Sequence, residues 1–359
     1  MGRIVAGAEP AIRAAYDRLQ RQPIDQTDLC EGPTGYSDRR TTLGGVKSVS
    51  GPGTFYRRAQ RTLLFKPSQE PGWWIDRTDL HEQLSTAVSV RSIWTSQRNI
   101  VLRSGSPHNY LRMVEHIVAL RLGLGLDDVT VATDAGDPPL LDRGSLDLVE
   151  AVDAAGIVER DAPAAYVTVR EPVTIGGNRG DFITLLPAER GQRRLRIDCA
   201  ISFDSAIGQQ RILFDLTPRT FRYGAEARTN VSAAQYFFAK SIGVVLADVR
   251  NMGYNTRNIL IHGRTHYVNA PKLFHNGKAL EPVWHRATLD LLAALALIEG
   301  GRFAGTVISY RAGHTLDCRL VTLLHRLGLL EPVVVSSAKE PQKHGSPDAA
   351  PGDSIRDPA

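Results

Sequence analysis

Three places in the chain hold residue types that can do chemistry together. Glu115 directly precedes His116 in Val114-Glu115-His116. A carboxylate beside an imidazole can work as a general base next to a metal ligand. Asp290 lies between Leu289 and Leu291 in an apolar run. A carboxylate buried there needs a cation, a metal or a hydrogen-bond donor. His314 follows Gly313, and a distant histidine of this kind could complete such a site. Each also has a plainer reading: a core histidine bonded to a carbonyl, a surface carboxylate, an aspartate paired with an arginine, a turn histidine. The segment from Trp284 to Asp290 carries the decision. His285 stands five residues before Asp290, and Arg286 stands four before it. Residues four apart share a helical face, whereas residues five apart diverge on a regular helix. A one-residue π-bulge would bring His285 back to the Asp290 side. Without it, Arg286 takes that position, and a guanidinium can pair with Asp290 but cannot bind a metal.

The elements that must position these residues follow from periodicity and turn signals. Short strands are expected at Thr62 to Lys66 and Trp73 to Asp76. A helix is expected to open at Ser106-Pro107, to carry Leu111, Val114 and Val118 on one stripe, and to stop at Gly123 and Gly125. A strand at Val129 to Thr133 and a helix from Leu146 to Ala154 follow. The pattern breaks near Glu159 to Pro163, then restarts. Strands are expected at Tyr166 to Arg170, Phe182 to Leu186 and Leu195 to Phe203, with a Gly176-Gly177-Asn178 turn between the first two. A helix at Ala233 to Lys240, a strand at Asn258 to His262, and a long helix from Pro282 to Gly300-Gly301 complete the core of the second half. A strand at Val307 to Tyr310 and a helix at Thr315 to Leu327 close it.

This order predicts an α+β protein with two similar sheet-plus-helices domains packed face to face and a site between them. The boundaries expected are 39–156 and 157–335, preceded by an extension over 1–38 that holds a short helix at Ala11 to Gln20. Residues 336–359 are polar and proline-rich, and a disordered tail is expected there.

Composition bounds the function. The 359 residues are 42% hydrophobic and 23% charged, which is globular. A net charge of +5 suits anionic partners such as a nucleotide sugar, a phospholipid face or nucleic acid, and its plainer reading is solubility charge. The arginine clusters at Arg57, Arg58 and Arg61 and at Arg193, Arg194 and Arg196 carry no nucleic-acid motif, so no nucleic-acid partner is expected. Cys30, Cys199 and Cys318 are far apart and form no CxxC, which fits a cytoplasmic location. The first twenty residues do not read as a signal peptide, and the longest apolar run is too short to span a bilayer.

Several segments resemble a known enzyme family in their order along the chain. They are Arg40-Thr41-Thr42-Leu43, Gly51-Pro52-Gly53, Asp76-Arg77-Thr78-Asp79-Leu80, Met113-Val114-Glu115-His116, and Pro139-Leu140-Leu141-Asp142 with Gly144-Ser145. Ala206-Ile207-Gly208 with Gln210, Arg219-Thr220-Phe221 and Gly313-His314-Thr315-Leu316 follow. The chain thus resembles the UDP-3-O-acyl-N-acetylglucosamine deacetylases, zinc-dependent hydrolases of lipid A synthesis, from about Arg39 to Pro332. The resemblance implies two facing α+β domains, a zinc ion, and a UDP-linked acylated amino sugar as partner, with peripheral proximity to a membrane. It implies His116, His285 and Asp290 as zinc ligands. Glu115 would be the general base, His314 the group that protonates the leaving amine, and Thr220 the hydroxyl that helps the oxyanion. The family's lysine after its ligand histidine falls on Ala287 when aligned on Asp290, and a supporting aspartate falls on Ala294. Those departures keep a second reading open: a metal-free member in which Arg286 neutralises Asp290 and the cleft only binds an acyl or nucleotide-sugar ligand.

Overall fold

The computed structural model describes residues 2–55, 59–82, 84–189, 191–241 and 253–334. The tail expected over 336–359, together with Arg57 and Arg58, lies outside the described residues. The fold is α+β, built on two principal sheets. A five-stranded sheet in the first half has the order Lys47–Pro52, Gln60–Pro67, Val129–Thr133, Trp73–Arg77, Thr86–Ala87. A seven-stranded sheet dominates the second half. Its order is Arg3–Ala6, Val173–Gly176, Phe182–Leu186, Gly305–Tyr310, Leu195–Ser202, Gln209–Asp215, Gln26–Asp28.

One hydrophobic core runs through both halves. It includes Phe65, Trp73 and Val131 from the smaller sheet, Ile197 and Phe214 from the larger, and Val118, Leu122, Leu292 and Leu295 from helices between them. Burial of such side chains, at roughly 1.5–3 kcal/mol each, holds the halves as one body. The polar seam between the halves is closed by Arg302. Its guanidinium donates to Asp127 at 2.7 and 3.1 Å and to the Gly125 carbonyl at 2.8 Å, and both partners of the pair are buried. Among the described residues no helix is long and apolar enough to cross a membrane.

Three expectations need correction. The helix begins at Glu115, not at Ser106-Pro107. Tyr110–Arg112 instead pairs antiparallel with Val101–Arg103, and Met113 then takes a φ of 52°. A left-handed non-glycine residue cannot continue a helix, so the ladder and this turn override the capping signal at Ser106. Ser106 caps only a local turn, through its carbonyl to the Asn109 amide at 3.0 Å. Second, the Gly176-Gly177-Asn178 turn joins a strand missed in the sequence, Val173–Gly176, to Phe182–Leu186. Third, the long helix from Pro282 is three pieces: Glu281–His285, a π-helical Arg286–Leu291, and Leu292–Leu295.

Within the expected N-terminal extension, two strands between residues 3 and 28 join the larger sheet. Arg3–Ala6 pairs parallel with Val173–Gly176, and Gln26–Asp28 pairs parallel with Gln209–Asp215, so this segment forms both edges of the sheet. Between them the helix Glu9–Arg21 buries Ile12, Ala15 and Leu19 against Phe182, Ala200 and Tyr310. Buried Arg211 donates to the Leu19 and Gln22 carbonyls at 2.8 and 2.9 Å, satisfying the end of that helix. Asp198 holds the same guanidinium bidentately at 2.8 and 2.7 Å.

Candidate active site

Segments of both halves meet at a cavity of about 240 Å³ lined by Glu115, His116, Thr229, His285, Asp290 and His314, among others. The first half contributes the adjacent pair at the N-terminus of Glu115–Gly123. Met113, with its φ of 52°, separates the strand Tyr110–Arg112 from the helix, which opens with both side chains at the cavity. Glu115 is almost wholly buried at 3% exposure, and it accepts a hydrogen bond from the Ile100 amide. Burial lifts its carboxyl above the ordinary range, although the His314 imidazole opposes this. His116 has its Nδ1 2.9 Å from the Ser145 hydroxyl. Burial, with His285 beside it, holds the His116 pKa down to about 3, so the ring is neutral.

The second half contributes His285 and Asp290 from the widened helix. The π-helical turn over Arg286–Leu291 places His285 Nδ1 3.5 Å from Asp290 Oδ1. The five-residue spacing that diverges on a regular helix therefore converges here. Thr288 supports the widening, because its hydroxyl donates to the Trp284 carbonyl at 2.6 Å and competes there with the backbone. Asp290 Oδ1 is also 3.7 Å from His314 Nε2, and Glu115 Oε1 is 3.7 Å from the same nitrogen. Burial opposes ionisation of Asp290, yet His285 and His314 hold its carboxyl well below the usual range. Burial likewise pulls His314 down, but Asp290, Glu115 and Asp317 together lift it above an ordinary histidine.

Arg286 does not occupy the cavity. It turns away to Asp317, 2.6 Å from Nη2, and donates from Nε to the Ala312 carbonyl at 2.9 Å. The arrangement in which Arg286 neutralises Asp290 by direct pairing thus loses its premise, since Asp290 faces the two histidines.

Thr220 is not brought to the site, and this corrects the role expected for it. It is the third residue of the Pro218–Ala225 helix and forms a reciprocal cap with Thr217. Its hydroxyl accepts from the Thr217 amide at 2.9 Å and donates to the Asp215 carbonyl at 3.0 Å. The threonine in the cavity is Thr229. Its hydroxyl lies 3.3 Å from His116 Nε2 and 2.9 Å from His285 Nε2, bridging the two halves. The sequence did hold a signal for it: the Arg-Thr pair of Arg219-Thr220 recurs at Arg228-Thr229. Arg228 also fixes the strand that carries Thr229. Its Nε donates to buried Glu281 at 2.7 Å, and Glu281 opens the helix that bears His285.

Two imidazoles and a carboxylate are the donor set of a zinc site that keeps a position open. His116 is neutral as a ligand must be, Asp290 is held ionised, and the rings of His116 and His285 are 5.3 Å apart between centroids. The donors are not closed on one point. Both Nε2 atoms address the Thr229 hydroxyl, and among the described residues no three His, Cys, Asp or Glu side chains already surround a common centre.

The description UDP-3-O-acyl N-acetylglycosamine deacetylase fits the chain over residues 40–326. The chain belongs to that family. A UDP-3-O-acyl-N-acetylglucosamine deacetylase of Thermosynechococcus vestitus is 30% identical over 292 residues, which is 80% of this chain and 95% of the relative. One of Brucella ovis is 28% identical over 288 residues, 79% of this chain and 94% of the relative. The family match spans Glu115, His116, Thr229, His285, Asp290 and His314, and it begins after the arm formed by residues 3–28.

Proposed function

We propose that this protein is a zinc-dependent deacetylase that removes the acetyl group from a UDP-linked, 3-O-acylated N-acetylglucosamine. The observation that carries the reading is the meeting of Glu115 and His116 from one half with His285, Asp290 and His314 from the other around one cavity. The two halves, 39–156 and 157–335, would act as the two walls of the reaction cleft.

His116, His285 and Asp290 would hold the zinc. When bound, zinc supplies Lewis acidity toward the acetyl carbonyl and makes a nearby water easier to deprotonate. Glu115 takes the proton of the attacking water as its oxygen adds to the acetyl carbon. A carboxyl raised by burial suits this work near neutral pH better than an ordinary one. The Thr229 hydroxyl donates to the carbonyl oxygen as negative charge gathers on it. His314, lifted by three carboxylates, delivers a proton to the sugar nitrogen while the C–N bond breaks. The products are acetate and the free amine, and the proton taken by Glu115 balances the one given by His314.

The test is acetate release from UDP-3-O-acyl-N-acetylglucosamine by purified protein, with zinc and after chelation. Release that stops on chelation and returns with zinc is expected. No release at any zinc level would reject the proposal.

A further inference from the structure

The arm formed by residues 3–28 precedes the family match, yet it reaches the back of the helix that carries His285. Its second strand, Gln26–Asp28, lies in register beside Ile212, Leu213 and Phe214 at the edge of the large sheet. From there Gln26 Oε1 accepts a hydrogen bond from the indole N–H of Trp284 at 2.9 Å. Trp284 is the residue directly before His285 and is 1% exposed. Its ring is held between Phe214, 4.8 Å away between centroids, and Tyr223, edge-on at 4.9 Å. A buried indole N–H needs an acceptor, and the arm delivers it.

The strand that carries Gln26 is itself keyed in place. The Asp25 carboxylate receives the Arg211 amide at 2.9 Å and Lys278 Nζ at 2.7 Å. Arg211 in turn holds the end of the arm's helix. Neighbouring side chains on a helix point about 100° apart. Fixing the indole against the sheet therefore fixes the roll of Glu281–His285 and the direction in which His285 leaves it. The π-helical turn begins at the next residue, and Thr288 completes it by donating to the Trp284 carbonyl. A widened turn is less stable than a regular one and needs such an anchor at its start.

We propose that Gln26 is a positioning residue for His285, acting through Trp284 to hold the π-helical turn open. The kinetic part of the test rests on the deacetylase reading, and the exchange part does not. Gln26→Met keeps the size and removes the acceptor, whereas Gln26→Glu keeps an acceptor. Amide hydrogen exchange of the full chain without added metal reads the turn directly. Gln26→Met should speed exchange across residues 286–292 by roughly five- to tenfold, the worth of one hydrogen bond, and leave Gln209–Asp215 unchanged. Gln26→Glu should restore the wild-type rate. In the deacetylation assay Gln26→Met should lower kcat several-fold with KM unchanged. In a Trp284→Phe background, Gln26→Met should add nothing further to the exchange rate. Unchanged exchange at 286–292, an equal rise in Gln209–Asp215, or an undiminished Gln26→Met effect in the Trp284→Phe background would overturn the proposal. A chain that shows the exchange pattern but releases no acetate would reject the deacetylase reading alone.

Discussion

The helices Glu115–Gly123 and Glu281–Leu295 present catalytic-type residues to the same cavity by opposite means. The first uses adjacency: Glu115 and His116 are neighbours at a helix start that follows one left-handed residue, Met113. The second uses spacing: His285 and Asp290 are five residues apart and meet only because the turn between them is π-helical. The first solution needs one local conformation. The second needs further support, and it has three supports: Trp284 packed on the sheet, the Thr288 hydroxyl, and the buried pair of Arg286 with Asp317. A histidine out of register by one residue can thus still be brought to the cavity. What decides is whether the fold supports the irregular turn.

Removing the group that the first helix offers should have the largest effect. Glu115→Gln is expected to lower kcat by about 10²–10⁴. Thermal unfolding should stay close to wild type, because the variant keeps the size of the buried side chain. A kcat within a few-fold of wild type would mean that the adjacent pair is only structural.

Breaking the support of the second helix comes next. Arg286→Met leaves Asp317 buried without its cation, and denaturant unfolding should show a loss of roughly 3–5 kcal/mol. If stability is unchanged, the pair does not support the widened turn and the contrast between the helices weakens.

Thr229→Val acts between the two helices, since the Thr229 hydroxyl bridges His116 and His285. It should lower kcat by roughly 10²–10³. The smallest effect belongs to Thr220→Val, which should cost about 1 kcal/mol of stability through the lost cap and leave kcat of the folded protein unchanged. The opposite outcome for the two threonines would return the oxyanion role to Thr220.

Much of this was legible in the sequence where the signal was local. Val129–Thr133 and Phe182–Leu186 appear with the expected bounds, and the expected helix from Leu146 ends one residue later at Ala155. Glu115, His116, His285, Asp290 and His314, singled out one by one, all line the cavity. What was not legible depended on contacts between distant segments. The arm strands Arg3–Ala6 and Gln26–Asp28 are short and partly exposed, so they lack the alternation that marks a strand. Ser106-Pro107 carries a good helix-start signal, but pairing of Tyr110–Arg112 with Val101–Arg103 defeats it. Two Arg-Thr pairs nine residues apart look alike in the sequence, and only the fold shows which hydroxyl is free to reach the histidines.

The proposed zinc site of His116, His285 and Asp290 depends on the π-helical turn, which sets His285 beside Asp290. Zinc K-edge absorption of the zinc-loaded chain counts imidazole ligands directly. Two imidazoles are expected in the wild type and one in His285→Ala. An unchanged count in that variant, or a wild-type zinc with no imidazole ligands, would contradict it.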